Sequence, residues 1–181
     1  MSAIKLFISG VALLLIAFLG IGFLLPGEWS AERQRVVGAS PDEIRPLLED
    51  LALWPQWSPM GQVEGELSTP SSGVGATLSW DDPQWGQGEF TLTEAGPDGV
   101  GYDVRVEDGS LRTRGRIGLT PEDGGTRITW REEGDFGWNP LLSWFALGME
   151  RIQGTELEKS LDSLEERFGG GNTPEGAGGR P

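Results

Sequence analysis

The hydrophobic pattern changes character three times along this chain. From Leu6 to Leu25 about twenty residues run without a charge, between Lys5 and a Pro26-Gly27 stop. At about 1.5 Å per residue that run makes a helix of about 30 Å, the thickness of a bilayer's hydrocarbon core. A helix satisfies its own backbone hydrogen bonds, so lipid can accept it. Beyond the stop, Glu32 to Val37 reads as a first strand. Ser40-Pro41-Asp42-Glu43 has the order of a helix start, and Ile44, Leu47, Leu48 and Leu51 follow at helical spacing. Two prolines then break the chain within Trp54-Pro55-Gln56-Trp57-Ser58-Pro59.

From Gln62 the pattern becomes alternation. Val74, Ala76, Leu78 and Trp80 form one set; Phe90 with Leu92, then Tyr102, Val104 and Val106, form the next two. Leu111, Ile117 and Leu119 follow, then Ile128 with Trp130. Turn residues divide these runs at Gly96-Pro97-Asp98-Gly99, at Asp108-Gly109 and at Glu122-Asp123-Gly124-Gly125. Connections this short demand antiparallel neighbours, which predicts a meander of about six strands with the first strand as an additional member. The last change is back to helical spacing. Asn139-Pro140 caps a long helix with Leu141, Phe145, Gly148, Ile152, Leu157, Leu161, Leu164 and Phe168 on one face. Glu150, Glu158, Asp162 and Glu165 are expected on the opposite face, and Gly154 is expected to bend the helix. Gly169 stops it, and the Gly-rich stretch to Pro181 reads as a disordered tail.

The organisation this predicts is an N-terminal anchor over 1–27, one α+β domain over 28–168 and a tail over 169–181. A cleaved signal peptide is the rival reading of the first segment. Its apolar core would normally be shorter, about 7–15 residues. Phe23-Leu24-Leu25 continues the run past the small pair Gly20 and Gly22, and Trp29 stands where a cleavage site ending in Ser30-Ala31 needs a small residue. A retained transmembrane helix is the better fit. Lys5 on one side and Arg33 with Arg35 on the other nearly balance the positive-inside rule; the short amino-terminal tail favours a cytoplasmic N-terminus and an exported domain.

Composition narrows the chemistry. The 181 residues carry 28 acidic and 14 basic side chains, a net charge of −14, with neither cysteine nor histidine. Disulfides, thiol chemistry, Cys or His zinc sites and the usual Ser-His-Asp and Cys-His mechanisms are therefore excluded. With no long basic run, nucleic acid is not an expected partner, and the acidity argues against the domain lying flat on an anionic lipid surface. Asp81-Asp82-Pro83 lacks the alternating oxygen ligands of a calcium loop, so no metal and no cofactor is expected. All eight Trp residues follow the apolar run, and large rings spaced by glycine can enclose volume without filling it.

The Trp54–Pro59 motif after the first helix, Gly73-Val74-Gly75-Ala76 opening a strand and Gly86-Gln87-Gly88-Glu89 opening the next come in a telling order. Gly125-Thr126-Arg127-Ile128-Thr129-Trp130 then leads through Gly134-Asp135 to Asn139-Pro140. Together they resemble the START-like (SRPBCC) superfamily, in its polyketide cyclase/dehydrase branch, over roughly Trp29 to Phe168. The resemblance implies a helix-grip fold: an antiparallel meander of six to seven strands wrapped on a long C-terminal helix. It also implies a cavity between sheet and helix for apolar or amphipathic small molecules. Members range from lipid carriers to cyclases and hydratases, with no fixed catalytic set to carry over. An N-terminal membrane segment is similar to an arrangement among bacterial members, which implies a bacterial inner-membrane location.

Strand parity turns Leu78, Trp80, Phe90, Leu92, Tyr102, Leu111, Ile128 and Trp130 toward that cavity, with Phe145, Met149 and Ile152 of the helix facing them and Trp54 and Trp57 at an opening. A solidly packed aromatic corner is the alternative for the last two. Arg112, Arg114 and Arg116 share the outer strand face with Asp103, Arg105 and Glu107, which cross-strand ion pairs explain. Without histidine or cysteine, acid–base groups must come from Asp, Glu, Tyr, Lys or Arg, and the candidates are Glu132, Asp135 and Tyr102. Glu132 has the inward parity of Trp130; the rarity of buried carboxylates favours instead a solvated strand end, with Asp135 capping a turn. Three functions follow as expectations. The first is a membrane-anchored domain binding a hydrophobic small molecule or lipid, its bilayer contact made through the N-terminal helix. The second is a cyclase or hydratase using a cavity carboxylate. The third is an interaction scaffold without a cavity, its protein partner unspecified.

Overall fold

The computed structural model describes residues 3–58, 63–83, 86–107 and 111–169. The expected turn at Asp108-Gly109, Pro59 at the end of the Trp-Pro motif and the tail beyond Gly169 lie outside the described residues. Helix α1 (Ala3–Gly22) is long and apolar enough to cross a membrane. Strand β1 (Glu28–Val37), helix α2 (Pro41–Glu49) and a 3-10 helix (Leu51–Gln56) follow it. Then come β2 (Glu66–Leu67), β3 (Thr77–Asp82), β4 (Gly86–Gly96), β5 (Gly99–Val106), β6 (Leu111–Glu122), β7 (Gly125–Asp135) and the long helix α3 (Leu142–Phe168).

The seven strands form one antiparallel sheet in the order β1-β7-β6-β5-β4-β3-β2. The fold is α+β and of the helix-grip type, with the first strand closing onto the last. The expected alternation holds for β3 through β7. Val74 departs from it: the residue is 66% exposed, because Gly73 and Gly75 on either side take positive φ and turn the chain before β3 begins.

Helix α2 starts as its sequence dictates. The Glu43 carboxylate accepts bonds from the Ser40 backbone N–H at 2.9 Å and the Ser40 hydroxyl at 2.7 Å, and both hold its pKa below the usual carboxylate value. Its C-terminal end is closed by tryptophans. The Trp54 indole donates to the Leu48 carbonyl at 3.0 Å and the Trp57 indole to the Leu47 carbonyl at 3.3 Å. Those carbonyls lie in the last turn of the helix, where no intrahelical donor exists. The Trp-Pro motif thus folds the 3-10 helix back against α2 and drives two rings into the core.

Helix α3 runs without interruption through Gly154 and lies across β1 and the neighbouring β7. It meets the sheet through Ser143, Ala146, Gly154, Leu157, Ser160, Leu161 and Leu164, all buried. This corrects the expectation for its first half. Phe145 is 64% exposed and Ile152 is 53% exposed, while Met149 is half-buried. The apolar stripe Leu141-Phe145-Gly148-Ile152 is real, but at 3.6 residues per turn it lies on the face opposite the buried one. Nor is Gly154 there to bend the helix. A Cβ at that position would stand 2.2 Å from the Arg33 guanidinium of β1, so the glycine lets that side chain lie across α3. Arg33 pairs with Glu150 at 2.9 Å, and Arg35 pairs with Asp162 and, at 3.2 Å, with Glu165. Three of the four acids expected on the far face therefore edge the sheet contact instead.

Candidate functional site

One transverse row of the sheet carries the chemistry. Ala31 of β1, Glu132 of β7, Gly115 of β6, Tyr102 of β5 and Leu92 of β4 stand side by side in register on the inner face. Gly115 leaves a gap in that row, and the Tyr102 ring fills it. A Cβ on Gly115 would lie 1.9 Å from the ring carbon that bears the hydroxyl. The ring can therefore lean over β6 and bring its hydroxyl to the Glu132 carboxylate, to which it donates. Trp130 donates its indole N–H to the Tyr102 oxygen at 2.7 Å, and Gln153 of α3 donates to the second carboxylate oxygen. The result is a buried chain, Trp130 to Tyr102 to Glu132 from Gln153, in which both carboxylate oxygens have a donor.

Glu132 is 5% exposed and Tyr102 is 2% exposed, which overturns the expectation of a solvated strand end. The partners supplied by β5 and α3 are what make the burial tolerable. Burial pushes the Glu132 carboxyl above its ordinary value, opposed by the bonds from Tyr102 and Gln153. The Tyr102 phenol is raised well above its usual range, first by burial, then by the Glu132 charge and hydrogen bond, with the Trp130 bond opposing. Asp135 is not part of this group. It is exposed, and its side chain accepts from the Gly137 backbone N–H at 2.7 Å, capping a turn.

A raised carboxyl makes a signed prediction. The folded state holds the Glu132 proton more tightly than the unfolded chain, whose glutamate titrates near pH ~4.3. The stabilisation from this group is complete below that pH and is lost as pH rises through the higher folded value. Glu132→Gln keeps the shape and cannot ionise, so its stability, measured by urea denaturation, should be flatter than the parent's as pH rises from ~4.3. Parallel profiles for the two proteins would contradict the assignment.

The rings expected to line a cavity beneath α3 mostly pack against one another. Trp54 sits edge-on to Phe90 at 4.8 Å, Tyr102 at 5.5 Å and Trp130 at 6.3 Å, and tilts against Trp57 at 4.9 Å. Trp57, Leu92, Tyr102, Ile128 and Trp130 belong to this filled core. Trp80 is buried over Gly88, directly opposite it on β4, and Leu111 is half-buried at the start of β6. An apolar hollow lies elsewhere. A cavity of about 280 Å³ opens between the 3-10 helix and strands β2 to β4, lined by Leu51, Trp54, Pro55, Val63, Glu64, Gly65, Leu67, Leu78 and Phe90. No residue of α3 lines it, which relocates the expected cavity. Three of the expected side chains, Trp54, Leu78 and Phe90, do reach it. Leu51 reads in the sequence only as part of the α2 apolar face, Leu67 stands in a two-residue strand too short to show alternation, and a lone amide such as Gln153 on a helix carries no pattern.

On the outer face, Arg114 lies 3.9 Å from Asp103 and Arg116 bonds Glu94. The arginine ladder is an ion-paired surface, as its spacing predicts. Among the described residues, no group of acidic side chains is placed to hold a metal ion.

No curated protein matches the chain by sequence. Among solved structures, a protein of Mesorhizobium loti superposes with a TM-score of 0.54 at 17% identity, covering 76% of this chain and 97% of that one. A hypothetical protein of Helicobacter pylori gives 0.59 at 13% identity, with 80% and 89% covered. The di-domain ARO/CYC StfQ from the steffimycin biosynthetic pathway gives 0.58 at 16% identity, covering 78% of this chain and 52% of that one. At such identities these likenesses establish the helix-grip fold. Sequence carries the assignment further: residues 28–169 match the family described as polyketide cyclase / dehydrase and lipid transport, and the chain belongs to that family.

Proposed function

We propose that residues 28–168 form a ligand-binding domain, held at a membrane by α1, that takes a hydrophobic or amphipathic small molecule into the cavity between the 3-10 helix and β2–β4. The observation that carries this is the lining. Apolar side chains from four elements, the 3-10 helix and strands β2, β3 and β4, line about 280 Å³, with Glu64 the carboxylate among the lining residues. That volume falls just below the usual range of ligand pockets, about 300–1,000 Å³, and suits a compact ring system or part of an acyl chain. Family membership supports the same class of ligand. The anchor reading rests on the length and apolar composition of α1, and the short amino-terminal tail supports a cytoplasmic N-terminus with the domain exported from a bacterial inner membrane.

The geometry favours binding over catalysis. Tyr102 and Glu132 are the candidate acid–base groups, yet neither lines the cavity; Trp54 and Phe90 line it and are each in ring contact with Tyr102. A ligand in the cavity meets aromatic faces before it meets the phenol.

Native mass spectrometry of residues 28–168, expressed without α1 and purified without detergent, tests the proposal. A reproducible extra mass, lost on denaturation and extractable into organic solvent, is the expected result. Leu78→Trp should plug the cavity from β3 and weaken uptake of that molecule at least tenfold, about 1.4 kcal/mol, while thermal unfolding stays near the parent's. Unchanged uptake by a folded Leu78→Trp protein would place the ligand elsewhere.

A further inference from the structure

The far face of α3 is apolar, and it is joined to the end of α1. Leu141, Phe145 and Ile152 form its exposed stripe, and Trp138 just before the helix is 86% exposed. No charged residue occurs from Phe136 to Met149. Exposed apolar stretches of this kind mark an interaction surface.

The surroundings say what covers it. Trp144, in the first turn of α3, stacks on Phe18 of α1 with ring centroids 4.9 Å apart, and its indole donates to the Phe18 carbonyl at 3.3 Å. Trp138 meets Phe23 edge-on at 5.9 Å. Gly22 approaches Pro140 so closely that a Cβ would stand 2.2 Å from its carbonyl oxygen. The backbone of Phe136 donates to Gly27 at 3.1 Å, closing the link Phe23–Gly27 against the same segment. That link can reach at most about 18 Å when extended. Any bilayer that holds α1 therefore meets Trp138, Leu141 and Phe145 at the level of the last turn of α1. Tryptophan and phenylalanine are favoured at that depth, where amphipathic helices bury an apolar face about 5–10 Å into the headgroup boundary.

We infer that the first half of α3 is a second membrane contact: Trp138, Leu141 and Phe145 insert into the lipid interface beside the C-terminal end of α1. The inference rests on the anchor reading above and adds a fixed attitude of the domain on the bilayer. The domain's acidity disfavours an anionic surface, but the inserting segment from Phe136 to Met149 carries no charge, and a zwitterionic bilayer presents no net charge to repel Asp135 and Glu150 at its two ends.

The chain has no cysteine, so single labels are clean. Nitroxide probes at Leu14→Cys in α1, Phe145→Cys and the exposed Ser163→Cys are placed one at a time in the full chain, in vesicles of phosphatidylcholine. Collision with oxygen relative to a water-soluble nickel chelate should be several-fold higher at positions 14 and 145 than at 163. If position 14 reads as lipid and 145 reads like 163, the second contact is overturned and the anchor stands. If position 14 itself reads as water, both fall. Dipolar broadening between labels at 145, lost when the protein is diluted in lipid, would show a second copy on the face and overturn the lipid assignment.

Discussion

Gly115→Val is expected to lower the unfolding free energy by about 3–5 kcal/mol, a large fraction of the about 5–15 kcal/mol that holds a domain folded. The new side chain would occupy the space of the Tyr102 ring, which already lies within 1.9 Å of an ideal Cβ. Overpacking of a buried site costs about 1–3 kcal/mol by itself. Moving the ring also strips Glu132 and the Trp130 indole of a partner, and an unsatisfied buried group costs about 1–3 kcal/mol. Two variants separate these contributions. Tyr102→Phe keeps the packing and breaks only the hydrogen bonds, so it should cost less than Gly115→Val. Gly115→Ala combined with Tyr102→Ala should be less damaging than the sum of the single changes, because the clash exists only when both groups are present. Strict additivity in urea denaturation would mean that the glycine matters for its backbone and not for the ring above it.

The same device recurs across the sheet and explains where sequence reasoning ran short. Trp29 lies over Gly134, Tyr102 over Gly115 and Trp80 over Gly88, and each pair is directly opposite in register on neighbouring strands. Alternation within one strand reveals that Trp80, Tyr102 and Trp130 point inward. It does not reveal which glycine on which neighbour each ring will cover, since that depends on register. The meander and the inward parity of Glu132 were legible because each is local, and the helix-grip architecture because the ordered motifs resemble a known family. The burial of Glu132 was not, because its partners come from β5 and α3, thirty residues upstream and twenty-one downstream.

Helix α3 shows the opposite failure. Its clearest apolar stripe, Leu141-Phe145-Gly148-Ile152, points away from the core, while small and polar residues such as Ser143, Ala146 and Gly154 face β1. A hydrophobic stripe announces that a face is covered without naming the cover. Here β1 presents Arg33 and Arg35 on its inner side, so the helix that packs there needs small residues and acids. The bulky residues were left free to serve another surface.

Trp54→Ala should be the second severe substitution, at about 3–5 kcal/mol for loss of a fully buried tryptophan. The residue is 2% exposed, touches four aromatic rings and donates to the Leu48 carbonyl that α2 leaves unpaired. Its removal should do more than destabilise. Trp54 forms part of the cavity wall and also lies against Tyr102, so without the indole the cavity extends to the phenol and water can follow. Burial is the main reason that the Glu132 carboxyl is raised, so hydration of that region should move its pKa back toward the ordinary carboxylate value. The Glu132 resonance, identified by its absence from Glu132→Gln, can be followed by carbon NMR during titration of both proteins. A carboxyl that stays as high in Trp54→Ala as in the parent would show that Phe90 and Trp57 close the wall unaided. A fall toward the ordinary range would show that one indole ring keeps an aromatic ligand cavity and a buried acid pair from being a single site.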